Sequence, residues 1–311
     1  MNYYLGVDLG GTNIAVGLVD ENEQLICKKS TPTPKKPSHE ELTGAIENLC
    51  REFLAENNLT FADVRTIGIG APSQIEPTRG ELLFACNLHI RNLPLGQLLT
   101  ERTGVKTYVC NDADAAAFGE AKAGAAKGYN SCVAVTLGTG VGTGVVMGSD
   151  IVPSEGGHHV IVYGGKHCNC GRNGCYEVYA SATALIEQTR TAMQSNKESL
   201  LWKVAGDLEH VNGRTVFDAM DMGDETAKQV YDQYMGYVAC GLANIANNVA
   251  PEAICIGGGI SGQGERLTAP LNEYLQREQQ PLIAGGTTKV LVCTLGNDAG
   301  IIGAALYAKY R

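Results

Sequence analysis

"GVDLGGTNIAVG" (residues 6–17) and "AVTLGTGVGTGV" (residues 134–145) place an apolar strand, a Gly/Thr turn and a second apolar strand in the same order. Their recurrence predicts a chain built from two related halves. Working outward from the first copy, "YYLGVDL", "IAVGLVD", a polar "ENEQ" turn and "LICKKST" read as a three-stranded meander. Pro32, Pro34 and Pro37 mark a loop. Ser38 with Glu41 forms a capping-box pattern ahead of "ELTGAIENLCREFLAENN", where Leu42, Ile46, Leu49 and Phe53 share a helical face. "RTIGIGAP" is a buried strand ending at Pro72, "NLPLGQLLTERTG" a short helix, and "KTYVC" a strand running into the Ala-rich helix of "NDADAAAFGEAKAGAAKG". Beyond the second copy come the helix "ASATALIEQTRTAM" and a long one in which Ala227, Val230, Tyr234, Val238, Leu242, Ile245 and Val249 keep the period until Pro251. "EAICIGGGIS", the helix "LTAPLNEYLQRE", the strand "KVLVCTLG" and the helix "NDAGIIGAALYAKY" complete an alternating α/β order. With no linker in view, the domain boundary is placed near Cys110. A smaller N-terminal lobe spans 1–110 with the C-terminal helix at about 297–311, and a larger lobe spans 111–296.

Composition narrows the functions open to such a chain. The 311 residues are 44% hydrophobic and 18% charged, and 33 acidic against 24 basic side chains give a formal charge of -9. An acidic surface repels phosphate backbones and anionic lipid, which argues against nucleic acid and membrane partners. The N-terminus "MNYYLGVDLGG" has no basic region followed by an apolar one, and no window approaches the roughly 20 apolar residues of a membrane span, so a cytoplasmic protein is expected. Eleven cysteines, an odd number in a long chain, point to reduced thiols rather than a disulfide framework. Cys27, Cys110, Cys132, Cys240, Cys255 and Cys293 stand singly in apolar runs and read as small buried hydrophobes. Only Cys168, Cys170 and Cys175 cluster, within "HHVIVYGGKHCNCGRNGCYE" (residues 158–177).

Glycine concentrates at 10 and 11, at 138, 140, 142 and 144, and at 257 to 259, each time after an apolar strand. Backbone that must approach a ligand closely wants glycine, and N–H groups exposed in such turns coordinate phosphate oxygens. No GxxxxGK[ST] string exists, so a P-loop is excluded. "GGGISG" (257–262) matches GxGxxG after a strand but lacks the complete βαβ unit, which leaves an NAD-linked oxidoreductase as a distant third reading. Phosphoryl transfer to a hydroxyl needs a carboxylate beside the attacking oxygen, and Asp112 in "CNDAD" is the candidate base, against the alternative that Asn111 or Asp112 only caps the following helix. Two cysteines one residue apart, a third five further on and a histidine ten before the first suit tetrahedral Zn²⁺; spacing alone leaves His158, His159 and His167 open.

"GVDLGGTNIAVGLVD", "CNDADAAAFGE", "TLGTGVGTG", "CNCGRNGCYEVYAS", "AICIGGGIS" and "LGNDAGIIGAA", in this order over essentially the whole chain, resemble the successive motifs of the ROK family (repressors, ORFs and sugar kinases) of the actin-like ATPase superfamily, most closely its bacterial glucokinases. The resemblance implies a two-lobed, ribonuclease H-like α/β fold with an interdomain cleft. It places ATP phosphates at Asp8, Gly10, Gly11, Thr12, Asn13, Gly138, Thr139 and Gly140, with Gly257, Gly258 and Gly259 beside adenosine. Asn111, Asp112, Glu155, His158 and Glu177 would bind the sugar, and Asp112 would be the catalytic base. His158, Cys168, Cys170 and Cys175 would hold a closed, structural zinc. Some family members are repressors with an N-terminal helix-turn-helix, for which no segment precedes the strand beginning here at Tyr3; with the acidic charge this favours an enzyme. Three features depart from the family pattern: a shorter segment before Glu155, Gly156 inside ExGH, and Pro72-Ser73 where Pro-Gly is usual. The expected activity is transfer of the γ-phosphoryl group of Mg²⁺-ATP to the 6-hydroxyl of a hexose, most simply glucose, by a homodimer. A kinase for another hexose or N-acetylhexosamine, or a catalytically weak sugar sensor, is the alternative.

Overall fold

β1 (Tyr3–Leu9), β2 (Asn13–Val19) and β3 (Leu25–Pro32) form the meander expected around residues 6–17, with Leu9 opposite Ile14 across the Gly/Thr turn. The structure, a computed structural model, describes residues 2–281 and 286–311. In α1 (His39–Glu56) the Ser38 hydroxyl accepts the Glu41 N–H while the Glu41 carboxylate accepts the Ser38 N–H, so both halves of the capping box are made. Leu42, Ile46, Leu49 and Phe53 are buried on its inner face. β4 (Val64–Ala71) lies parallel to β1. β5 (Gln74–Glu76), β6 (Glu81–Ala85) and β7 (Ile90–Leu93) then make a small antiparallel sheet that no sequence pattern announced. After α2 (Leu95–Thr103), β8 (Thr107–Asn111) pairs parallel with β4 and completes the order β3-β2-β1-β4-β8. α3 (Asp112–Lys122) leaves its end directly.

The second half repeats this plan. β9 (Ser131–Leu137) and β10 (Val141–Met147) flank the second Gly/Thr turn, and β11 (Asp150–Val152) pairs antiparallel with β10 through the two-residue turn Gly148-Ser149. The metal-loop residues lead into α4 (Glu177–Ala180) and α5 (Ala182–Ser195), then α6 (Leu201–Ala205), α7 (Thr215–Asp221) and α8 (Glu225–Val249). α8 keeps its buried stripe to Ala246 and stops at a left-handed Ala250 before Pro251. β12 (Ala253–Gly257), α9 (Glu265–Glu278), β13 (Lys289–Val292) and α10 (Ala299–Lys309) follow. The sheet order is β11-β10-β9-β12-β13, with β12 and β13 parallel. Both sheets therefore run third, second, first, fourth, fifth by strand rank, the structural form of the repeated motif.

Two compact units divide the chain: Met1–Cys132, Gly144–Pro153 and Thr294–Arg311 form one, Val133–Thr143 and Ser154–Cys293 the other. The division thus comes later than the boundary expected near Cys110, because α3 packs with α10 in the first unit. Their crossing is unusually close: a Cβ on Gly303 would stand 1.6 Å from the Ala115 carbonyl oxygen, and one on Gly68 in β4 would stand 1.8 Å from that of Ala304. Only backbone without a side chain permits such an approach. α10 is buried from Ile301 to Ala308, as an all-apolar helix must be. Glu120, near the end of α3, is 1% exposed and accepts backbone N–H bonds from Ala125, Thr294 and Leu295 at 2.8, 3.1 and 2.8 Å. Cys110, Cys132 and Cys255 are buried as expected, whereas Cys27, Cys240 and Cys293 are only half-buried. Among the described residues no helix is long and apolar enough to cross a membrane.

Candidate active site

In the first unit the parallel strands β1, β4 and β8 run the same way, so their carboxyl ends share one edge. Asp8 pairs with Gly70, and Ala71 with Asn111. Such edges are where open α/β sheets bind ligands. The Gly10–Asn13 turn closes with the Gly10 N–H donating to the Asn13 carbonyl at 2.9 Å. Thr33, just past β3, pins it twice: its hydroxyl donates to the Gly10 carbonyl at 2.7 Å and its N–H to that of Thr12 at 2.8 Å. Gly11, Thr12 and Asn13 remain exposed.

The two readings of "ND" separate here. Asn111 is the N-cap of α3: its side-chain oxygen accepts from Ala113 N–H at 2.9 Å and Asp114 N–H at 3.4 Å, and its amide donates to the Ser73 carbonyl at 3.3 Å. Asp112 makes a single short contact of this kind, 2.9 Å to the Ala113 N–H, and sits half-buried in the first turn, where the helix dipole favours a carboxylate. Burial raises the Asp8 pKa above the usual carboxylate value, and the Asp112 charge pushes it the same way. Ser73, at the departure from Pro-Gly, is buried with its hydroxyl donating to the Gln74 carbonyl at 2.9 Å.

In the second unit the Gly138–Gly140 turn joins β9 to β10. The Gly138 N–H donates to the Gly140 carbonyl at 3.0 Å, and the Ala182 N–H to the Gly138 carbonyl at 2.9 Å. Gly258, at φ 87°, packs against the same strand end, so near that a Cβ would lie 2.3 Å from the Leu137 oxygen. The second and third glycine clusters are therefore neighbours at adjacent strand ends, which the 119 positions separating Gly138 from Gly257 in sequence (257 less 138) could not reveal. Beside Thr139 opens a recess of about 220 Å³ whose walls include Lys166, His167, Glu177, Ser181 and Thr183. A larger one of about 330 Å³, lined by Arg79, Lys106 and Tyr108, lies at the opposite end of β8 from Asp112.

The cysteine cluster closes around His158. The ligand atoms of His158, Cys168, Cys170 and Cys175 all lie within 4.8 Å of one another. His158 Nδ1 is 3.7 Å from Cys168 Sγ, and Cys170 Sγ is 3.6 Å from Cys175 Sγ. A tetrahedron with Zn–S near 2.3 Å and Zn–N near 2.05 Å has edges of about 3.6–3.8 Å, so this donor set fits a zinc ion. The other two histidines are otherwise engaged. His167 is exposed with Nδ1 on the Asn173 side chain at 3.1 Å, and His159 stacks on Tyr176 at 5.0 Å with Nδ1 2.5 Å from the Gly156 oxygen. Glu155 is exposed at the start of the Gly156–His158 turn, and the Gly156 N–H donates to Thr143 Oγ1 at 2.8 Å. Thr143 thereby anchors this turn to β10; as one threonine in a Gly/Thr run it gave no sequence signal. Glu177 opens α4 with Oε2 accepting the Val141 N–H at 3.0 Å.

A family model described as the ROK family matches residues 4–311. Full-length relatives include glucokinase of Thermotoga maritima, 37% identical over 99% of this chain and 97% of the relative, and glucokinase of Halalkalibacterium halodurans, 36% identical over 99% and 96%. Among solved structures, a ROK family glucokinase from Streptomyces griseus in complex with glucose and AMPPNP superposes with a TM-score of 0.76 at 33% identity, covering 99% of this chain and 100% of that one. The ROK hexokinase from Thermus thermophilus gives 0.78 at 31% identity, covering 99% and 98%. The paired sheets of matching strand order are those of the actin-like ATPase fold of these kinases. With motifs, topology and whole-length similarity in agreement, the chain belongs to the ROK family.

Proposed function

We propose that this chain is an ATP-dependent glucose kinase with Asp112 as its base. The observation that carries the assignment of the base is the division of labour at the start of α3: Asn111 caps the helix, and Asp112 at a strand's carboxyl end keeps only one contact, from the Ala113 N–H at 2.9 Å. The whole-length likeness to glucokinases supports the reaction. Asp112 accepts the proton of the sugar 6-hydroxyl as that oxygen attacks the γ-phosphorus and ADP departs. Positioning and electrostatics supply most of the rate. Asn111, Glu155, His158 and Glu177 bind sugar hydroxyls. His158 does so through Nε2, since its Nδ1 faces Cys168. An unmatched buried polar group costs about 1–3 kcal/mol, which is how such a set selects an epimer.

The turns at Gly10–Asn13 and Gly138–Gly140 offer backbone donors to the phosphates, and Gly257–Gly259 lies by adenosine. Mg²⁺ bound with ATP would neutralise developing charge on the phosphates, and Asp8 would hold that cation, since a bare carboxylate would repel phosphate. His158, Cys168, Cys170 and Cys175 would hold a zinc that orders the loop presenting His158 and Glu177; with four protein ligands it would have no open position for water. The homodimer suggested by the family resemblance is tested by sedimentation. A coupled assay for ADP across glucose, mannose, fructose, allose and the N-acetylhexosamines tests the activity. The highest kcat/KM with glucose supports it. Sugar binding without ADP release would select a sensor instead, and a nicotinamide absorbance change would select the oxidoreductase.

A further inference from the structure

We propose that Glu177 is a positioning residue for the phosphoryl donor: its carboxylate braces the Gly138–Gly140 turn and couples the shape of that turn to the metal-binding loop. What the turn holds rests on the kinase reading above. Oε2 accepts the N–H of Val141, the residue that ends the turn, at 3.0 Å. A Cβ on Gly140 would stand 2.2 Å from the same oxygen and 3.0 Å from the carboxyl carbon, so the carboxylate fills the space beside the turn. A side chain at 140 would have to displace this carboxylate. The other oxygen, Oε1, lies 3.7 Å from Cys168 Sγ, one of the four converging metal-type ligands.

The link from loop to carboxylate is short and stiff. Glu177 stands two residues after Cys175, and the residue between them, Tyr176, is fully buried. The Tyr176 N–H donates to the His159 carbonyl at 2.8 Å, its hydroxyl donates to the Val238 carbonyl at 3.1 Å, and its ring stacks on His159. The loop thus sets where α4 begins. A glycine turn left to itself samples many backbone conformations, whereas donors that stabilise phosphate must be oriented before the ligand arrives. Bracing by Glu177 supplies that orientation.

Calorimetric titrations with Mg²⁺-AMPPNP and, separately, with glucose test this on wild type, Glu177→Ala, Glu177→Gln, Gly140→Ala and the Gly140→Ala/Glu177→Ala double variant, with thermal unfolding as the control for folding. Glu177→Ala is expected to weaken AMPPNP about tenfold or more, beside the loss of glucose affinity that removal of a sugar-binding carboxylate brings. Glu177→Gln retains an oxygen for the Val141 N–H and recovers most of the nucleotide affinity. Gly140→Ala pushes the carboxylate away from the other side, and its penalty shrinks in the Glu177→Ala background. Wild type stripped of metal and returned to Mg²⁺ buffer binds AMPPNP more weakly, and stripping adds no further loss in Glu177→Ala. If Glu177→Ala does not fold, Glu177→Gln and Gly140→Ala carry the same comparison. Nucleotide affinity left intact in a folded Glu177→Ala, or a Gly140→Ala penalty that is unchanged in the Glu177→Ala background, overturns the proposal. A wild type that binds neither ligand rejects the kinase reading first, and this role with it.

Discussion

Asp112 and Asn111 are adjacent and similar in size, and the capping geometry gives them different tasks. Replacing Asp112 by Asn removes the proposed proton acceptor while leaving the Asn111 cap in place, so Asp112→Asn should melt like wild type and lose about 10²–10⁴ in kcat. Near-normal turnover in the coupled ADP assay would reject the assignment. Asp8 gives a pH-dependent counterpart. Its folded-state pKa is raised, first by burial and then by the Asp112 charge. A carboxylate raised in the fold contributes stability that is fully present below its unfolded value near 4 and lost as pH rises through the folded value. At pH 7 the charged Asp8 therefore costs stability, and Asp8→Asn should raise the melting temperature there, with the gain fading towards pH 4. Melting curves across that range check the sign; activity should fall, because Asn cannot face a cation as carboxylate does. Sequence named Asp112 from its place after a buried strand and Asp8 through the family resemblance, but not which neighbour caps the helix, because a cap is defined by hydrogen bonds.

At the scale of elements, α3 and α10 meet through glycine and alanine backbone. Gly303→Ala drives a Cβ into the Ala115 carbonyl, a clash with backbone that no rotamer relieves, and overpacking of this kind costs about 3 kcal/mol or more. Denaturant unfolding should show that loss with the m-value unchanged. The metal loop behaves differently. Between His158 and Glu177 regular structure is sparse: one short turn and the isolated bridges Val160↔Cys175 and His167↔Asn173. Metal binding, of the order of 10–16 kcal/mol in small zinc sites, would then be a main source of its order. Chelation should raise amide exchange at residues 166–175 while the strands of both sheets stay protected. Unchanged exchange there would mean that the loop holds itself. Helices and strands of this chain were legible because their apolar periods are long and cleanly punctuated, as at Ser38 and Pro251. The short β5–β7 sheet and β11 were not, since three to five residues carry no period.

For the molecule as a whole, the duplication was legible in two twelve-residue strings, and the two five-stranded sheets of identical order confirm it. So was the ordered series of family motifs. The sequence by itself determined the α/β class, the repeat, the net negative charge and the clustering of glycine and cysteine, because each of these is written in composition or in spacings of a few residues. Only the tertiary structure decided that α3 belongs with α10, that Glu120 is a buried acceptor for backbone 174 and 175 residues away, and that Glu177 reaches the Gly140 turn; His158, left open by spacing and named by the family resemblance, is the histidine it brings to the cysteines. The physical reason is the same in each case. Local pattern fixes what a segment buries, whereas the partner of a buried polar group is fixed by which distant backbone the packing brings within hydrogen-bonding distance.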